Sequence, residues 1–319
     1  MAPPQGVFEG IREIVPGHVR TYEGGRVVER AFARQTYPTS RAAHFSGSLH
    51  DAVDEVRRAM TEAVRLRQLR ADVPVGSYLS GGLDSSFVAA LGRAAMPGTF
   101  KTFSLRFEDA EYDETSYQRR MAEALGTEHA EILVRRADIA AAFPDAVRAA
   151  ERPILRTAPV PLFLLSGLVR SHGVKVVLTG EGADEVFAGY DIFREAKVRR
   201  FWARHPESTL RPRLLERLYP YLARSPVAQR AIARKFFGRG LSHHREPGFS
   251  HGPRWETTSA LMHLVSPAMR ERQAGRDVVR EYLGDLPPEL ASWTTLAQDQ
   301  HIEITTLLWG YLLSSQGDR

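Results

Sequence analysis

Val73-Pro74-Val75-Gly76-Ser77-Tyr78-Leu79-Ser80-Gly81-Gly82-Leu83-Asp84-Ser85-Ser86 reads as a short apolar strand, a Ser-Gly-Gly turn and the first turn of a helix. Two glycines after a strand let backbone N–H groups turn inward with no Cβ in the way, and a helix N-terminus adds the positive end of its dipole. The stretch is therefore read as a phosphate cradle. Ser80, Ser85 and Ser86 supply hydroxyl donors, and Asp84 offers a hard oxygen ligand for the magnesium that accompanies a nucleotide. The spacing is not that of a P-loop, since no Gly-Lys-Ser/Thr follows four residues after a glycine, nor that of the three-glycine dinucleotide fingerprint. The plainer alternative is an ordinary glycine-rich strand-to-helix turn.

Working outward, Leu49, Val53, Val56, Met60, Val64 and Leu66 recur at three- and four-residue steps, which predicts an amphipathic helix from Ser48 to about Arg70. Downstream of the cradle a helix continues through Ala95 and is stopped at Met96-Pro97-Gly98. A strand is expected over Phe100 to Phe107, then a helix burying Tyr117, Met121, Ala124 and Leu125 with Gly126 at its C-terminal end, then a strand over His129 to Val134. Asp138 caps a helix to about Ala149, a Pro-rich segment from Arg152 to Pro161 follows, and Leu162 to His172 forms a buried helix closed by Gly173. Val174-Lys175-Val176-Val177-Leu178 is largely apolar, as expected of a strand covered on both faces. Strands alternating with helices imply an α/β fold with a doubly wound parallel sheet.

The strand at Val174 runs into Thr179-Gly180-Glu181-Gly182-Ala183-Asp184-Glu185-Val186-Phe187-Ala188-Gly189-Tyr190. In an open α/β sheet, ligands bind beyond the carboxyl ends of the strands where strand order reverses. If the strands before Ser80 and Thr179 are neighbours there, Asp84 and Asp184 face each other across one cleft and can share magnesium on a triphosphate. Taken alone, this loop reads equally well as a solvated acidic cluster at a helix start.

Composition narrows the class. A chain of 319 residues, 43% hydrophobic and 25% charged, matches a soluble globular protein. No apolar run is long enough to span a bilayer, and the first residues lack a signal-peptide pattern, so a cytoplasmic setting and no membrane partner are expected. There is no cysteine, which excludes disulfides, thiolate metal sites and cysteine nucleophiles within this stretch. Forty-three basic against 38 acidic residues, a net +5, is too small an excess to argue for nucleic acid. Arg199, Arg200, Arg204 and Arg211 read as a solvated face, and the histidines at His243, His244 and His251 lack the carboxylate company of a metal site.

Ser80 to Ser86 resembles the Ser-Gly-Gly-Xaa-Asp-Ser loop of the ATP pyrophosphatases. Joined to the run from Gly180 to Tyr190, and with Asp113-Glu114, Leu125-Gly126-Thr127 and His129 also matching, it looks like the synthetase domain of glutamine-hydrolysing asparagine synthetases and their β-lactam synthetase relatives. The resemblance implies an ATP pyrophosphatase fold with helical C-terminal additions, and ATP and magnesium as cofactors. It implies that main chain at Leu79, Leu105, Thr179 and Gly180 holds the adenine nucleotide, and that Ser80, Gly81, Gly82, Asp84, Ser85 and Ser86 hold pyrophosphate. Asp84 and Asp184 would bind magnesium, Glu181 would guide or deprotonate ammonia beside the acyl-adenylate, and Tyr190 would line the pocket. Arg156 and Thr157 would contact substrate carboxylates, although a surface role for Arg156 fits as well.

The run Phe8-Glu9-Gly10-Ile11 to Pro16-Gly17-His18 is similar to the "F-x-G-I-x-x-x-x-P-G-H" end of the glutaminase domain of such enzymes, the other reading being an independent hairpin. Residues 1–45 are accordingly expected to be a glutaminase remnant and linker, and 46–319 a synthetase domain ending before the family's "E-x-R-x-P-F-L-D" and later lysine segments. The expected chemistry is adenylation of the aspartate side chain and amide formation with ammonia, free or glutamine-derived, in a possible homodimer that binds no nucleic acid. The alternatives are a β-lactam synthetase-like cyclase, a non-catalytic nucleotide-binding remnant and, less favoured, a tRNA-modifying adenylase.

Overall fold

The computed structural model describes residues 6–40, 43–109, 111, 113–219 and 230–317. Its first element is an antiparallel hairpin, β1 (His18–Glu23) and β2 (Arg26–Ala31), turned at Gly24-Gly25 and forming a sheet of its own. A two-stranded ribbon is marginal in isolation. Here the flanking segments fasten it: Glu13 pairs with Arg152, and His301 Nδ1 donates to Gln35 at 2.8 Å.

Helix α1 (Leu49–Leu69) starts with a reciprocal cap in which Asp51 N–H donates to Ser48 Oγ at 3.2 Å and Ser48 N–H donates to the Asp51 carboxylate at 2.8 Å. The main sheet follows, with β3 (Val75–Tyr78), β4 (Lys101–Phe107), β5 (Glu128–Val134) and β6 (Val176–Leu178). Its order is β5-β4-β3-β6, and every pairing is parallel. Helices α2 (Leu83–Ala95), α3 (Thr115–Leu125), α4 (Arg136–Ala150) and α5 (Pro159–Ser171) connect the strands. Val64 of α1 and Val88 of α2 join Val75, Phe100 and Leu178 in one apolar cluster. Leu165 and Val169 of α5 join Phe103 and Val174 in another. The chain steps outward from β3 to β4 to β5, then returns across β3 to lay down β6. Strand order therefore reverses between β3 and β6, as the doubly wound reading expects.

Three local expectations are corrected. The last strand begins at Val176, and Val176 is 41% exposed because β6 is an edge strand in this sheet, covered less completely than its apolar sequence suggests. Helix α3 buries Thr115, Gln118 and Ala122, while Tyr117 is exposed and so is Ala124. The helix is rotated because the Gln118 amide is anchored inward on the Leu105 carbonyl at 3.0 Å. Asp138 is not the residue before α4 but its third, where its carboxylate accepts the Arg135 N–H at 2.8 Å.

Beyond β6 the chain is helical: α6 (Ala183–Phe187), α7 (Asp191–Ala203), α8 (Arg230–Phe237), α9 (Gly252–Ser259), α10 (Pro267–Arg272), α11 (Val278–Gly284) and α12 (Thr295–Glu303). Among the described residues no helix is long and apolar enough to cross a membrane. A 3-10 turn at Arg211–Arg217 lies between α7 and α8. The span 290–315 is divided between a 3-10 turn (Pro288–Ser292), α12, and π-helical turns over Ile304–Gly317.

The arginine face of α7 is the largest departure. Arg199 is only 1% exposed, and it donates to the carbonyls of Phe237 at 2.9 Å, Phe249 at 2.5 Å and Arg239 at 2.8 Å, with the Phe249 ring 3.9 Å from its guanidinium carbon. Burial pushes its pKa down to about 10. Arg200 makes a bidentate pair with the buried Asp299 of α12 at 2.6 and 2.7 Å. The helical region is thus held by planar guanidinium forks reaching carbonyls and carboxylates that its own helices leave unpaired. Replacing Arg199 with leucine strands three buried carbonyls, and chemical denaturation of Arg199→Leu is expected to show a loss on the order of 3–5 kcal/mol. Arg199→Lys, with three donors but no fork, is expected to recover only part of it.

Candidate functional site

Because Ser77 of β3 pairs with Leu178 of β6, the loops that follow leave the sheet side by side. They touch. A Cβ on Gly180 would lie 3.0 Å from both Asp84 Cβ and Ser85 N, so glycine lets the second loop rest on the first turn of α2 without pushing either neighbour away. Gly81 has φ 84°, and a Cβ there would come within 2.8 Å of Tyr117 Cβ on α3. The cradle closes on itself through serines: Ser80 N–H donates to Ser85 Oγ at 3.1 Å, the two hydroxyls hydrogen-bond at 2.8 Å, and Gly82 N–H donates to Ser80 Oγ at 3.3 Å. Helix α2 begins after Gly82 without a side-chain cap, which leaves its positive end to an incoming anion.

A cavity of about 340 Å³ opens over this junction, at the carboxyl ends of the strands. Of the residues singled out from sequence, Leu79, Ser80, Asp84, Ser85, Leu105, Thr179, Gly180, Glu181, Asp184 and Tyr190 line it. Gly81, Gly82 and Ser86 shape the turn and helix start from outside the lining, where Ser86 N–H donates to the Gly82 carbonyl at 3.1 Å. Arg156 and Thr157 do not line it either. Arg156 is exposed, with its guanidinium carbon 5.2 Å from the centre of the Tyr311 ring, and the Thr157 carbonyl accepts the Val160 N–H at 3.0 Å.

Ten further residues line the cavity without having been singled out as site residues, and three of them order its wall or add charge to it. Ser104 donates to the Leu79 carbonyl and Gln118 to the Leu105 carbonyl, so each orders main chain at the cavity wall. Nothing in the sequence marks Ser104, and Gln118 was hidden by the misassigned face of α3. Glu185 is the third. It is 1% exposed and accepts the Tyr190 hydroxyl at 3.2 Å. Buried acids next to acids were the available signal, but the run Asp184-Glu185 reads from sequence as one solvated pair.

The site is crowded with negative charge. Burial, then the neighbouring Asp184, raises the Glu181 carboxyl above its ordinary range, and Arg156 opposes this. Burial and the facing Asp84 raise Asp184. Burial raises Glu185, with small contributions from Glu181 and Glu303, against the pull of its own backbone and Tyr190. Tyr190 is raised by burial and by the surrounding carboxylates. Facing carboxylates of this kind are relieved by a cation.

The donors suit magnesium arriving with a nucleotide. Among the described residues no group of three or more His, Cys, Asp or Glu side chains is set to hold a metal unaided. Magnesium typically takes one or two carboxylates and completes its shell with phosphate and water oxygens, which the Asp84 and Asp184 pair beside a phosphate cradle matches. The histidines are engaged elsewhere: His251 Nε2 donates to Glu303 at 2.5 Å and is flanked by Ser250 Oγ at 2.7 Å from Nδ1, while His243 pairs with Glu246 at 2.8 Å.

The asparagine synthase family model matches residues 55–319, a span that contains both loops and the whole parallel sheet. The chain belongs to the asparagine synthase family. It is 31% identical over 314 residues to a putative asparagine synthetase [glutamine-hydrolyzing] of Mycobacterium bovis, covering 97% of this chain and 45% of that protein. It is also 31% identical over 263 residues to asparagine synthetase [glutamine-hydrolyzing] 1 of Bacillus subtilis, covering 82% and 39%. Amidase chyE of Penicillium rubens is 36% identical over 202 residues, covering 59% and 30%. The chain thus spans less than half the length of these family relatives.

The loop contact is the testable core of this geometry. Gly180→Ala is expected to destabilise by about 1–3 kcal/mol, the usual effect of forcing a methyl into a filled contact, as read by denaturant titration. Gly284→Ala, where an added methyl meets nothing within 4 Å, is the control and is expected to be neutral or slightly stabilising.

Proposed function

We propose that this chain carries the synthetase chemistry of its family: ATP-dependent formation of an amide, with the side-chain carboxylate of aspartate as acyl donor and ammonia as nucleophile. The supporting observation is the contact between the two loops, which gathers Asp84, Asp184 and Glu181 around one cavity beside an uncapped helix start. The unit concerned is residues 46–319, with residues 1–45 as the tail of a glutaminase domain and its linker. In a full-length protein that domain would supply ammonia from glutamine, in the cytoplasm.

In this reading a carboxylate oxygen of aspartate attacks the α-phosphorus of ATP, the bond to the β-phosphate oxygen breaks, and pyrophosphate leaves. The cradle from Ser80 to Ser86 and the start of α2 stabilise charge on that leaving group. Magnesium, held by Asp84 and Asp184, supplies electrostatic neutralisation of the phosphates when bound. Main chain at Leu79, Leu105, Thr179 and Gly180 orients the nucleotide. Ammonia then attacks the acyl carbon and AMP departs. Glu181, in the cavity lining, accepts the proton that the new amide sheds, and Tyr190 bounds the pocket beside it. Arg156 and Thr157 lie outside the cavity lining, and they are assigned to the remaining carboxylate of the substrate because the Arg156 charge reaches Glu181, which does line it.

The test is phosphorus NMR of ATP incubated with the chain, aspartate, ammonia and magnesium. AMP and pyrophosphate in equal amounts are expected, and Asp84→Asn or Asp184→Asn should reduce their rate on the order of a hundredfold or more. ADP formation would sink the reading. Nucleotide binding with no AMP under any substrate combination would favour a binding role, and AMP release only with an acid bearing its own amine would favour a cyclase.

A further inference from the structure

The segment between α4 and α5 is held from a distance. Glu151 leaves α4 with φ 50°, a left-handed backbone uncommon for a residue other than glycine. The residues after it are fastened to the π-helical turns about 155 residues later. Arg152 donates to the Gly310 carbonyl at 3.0 Å and to Ser314 Oγ at 2.5 Å. Leu155 N–H donates to the Tyr311 hydroxyl at 3.2 Å. The Arg156 guanidinium stacks near the face of the same ring, 5.2 Å from its centre. Tyr311 itself is buried, at 6% exposure, within a cluster with Ile304, Leu308 and Leu312. Three residues earlier, Leu308 lies over Gly182 of the acidic loop.

One buried aromatic side chain therefore grips the 155–156 backbone with its hydroxyl and the 156 guanidinium with its ring. Arg156 is the cation whose field reaches Glu181 in the cavity lining. Left to itself, an exposed arginine samples many rotamers, and fixing it in one removes that entropy from the binding step.

We propose that Tyr311 is a positioning residue that presets Arg156 to receive the second negative charge of the acyl substrate, and so selects a dicarboxylate over a monocarboxylate. This rests on the assignment of Arg156 to substrate made above. Tyr311 touches neither substrate nor nucleotide in this account. Its effect passes entirely through Arg156.

The experiment is calorimetric titration of L-aspartate into the full chain saturated with magnesium and a non-hydrolysable ATP analogue, for wild type, Tyr311→Phe, Tyr311→Leu, Arg156→Ala and the Arg156→Ala/Tyr311→Leu double variant. Hydrogen exchange at the Leu155 amide is read in parallel. Tyr311→Leu is expected to weaken aspartate about tenfold with nucleotide affinity unchanged, and Tyr311→Phe, which keeps the ring, less. Exchange at Leu155 should rise in both. In the Arg156→Ala background Tyr311→Leu should add little, since contacts acting through one group are not additive. Unchanged aspartate affinity in Tyr311→Leu, an equal loss of nucleotide affinity, or an additive double variant would overturn the positioning role alone. Nucleotide binding without any aspartate binding by the wild-type chain would overturn the substrate assignment and this inference with it.

Discussion

The closeness of Gly180 to Asp84 and Ser85 is the constraint on which the site depends. Two loops separated by almost a hundred residues meet because β3 and β6 are hydrogen-bonded neighbours, and they touch because one of them presents no side chain at the point of contact. A parallel sheet fixes where its strands end, and the reversal of strand order leaves a crevice at one place. Everything placed around the cavity follows from that: serine hydroxyls, Asp84 and a helix start on one side, and Glu181, Asp184 and Glu185 on the other.

The sheet and both loops were legible in the sequence because each rests on local signals of high specificity. Ser80-Gly81-Gly82 can be read as a turn needing a left-handed residue, and Gly81 has φ 84°. The alternation of strand and helix predicts a doubly wound sheet, and the pairing of β3 with β6 is what the switch-point argument requires. The placement of ten candidate residues around one cavity followed from topology, while their individual roles remain proposals.

The helical region was not legible in the same way. A charged residue carries no sequence mark that tells a solvated face from a buried fork, so Arg199 and Arg200 read as surface, although Arg199 is among the most buried large side chains of the chain. Its environment is set by carbonyls some 40–50 residues away, which no periodicity encodes. Gln118 illustrates the same limit on a smaller scale: hydrophobic spacing placed Met121 and Leu125 against the core, where they pack, but also Tyr117, whose place inward is taken by Gln118 anchored on Leu105. Tyr311 joins them, since its partners lie far upstream and its π-helical setting has no compositional signature.

The crowding of Asp84, Glu181, Asp184 and Glu185 has a thermodynamic side. Carboxylates held together by a sheet and buried to different degrees raise the free energy of the ligand-free protein, with Asp184 raised by burial and then by its neighbour Asp84. A positively charged occupant is therefore bound against an unfavourable starting point, and relief of repulsion adds to whatever contacts it makes. By mass action, any such occupant that ignores the unfolded chain also raises its melting temperature with concentration. If such an occupant binds, the heat resistance of this protein depends on what its surroundings hold in solution as well as on its sequence.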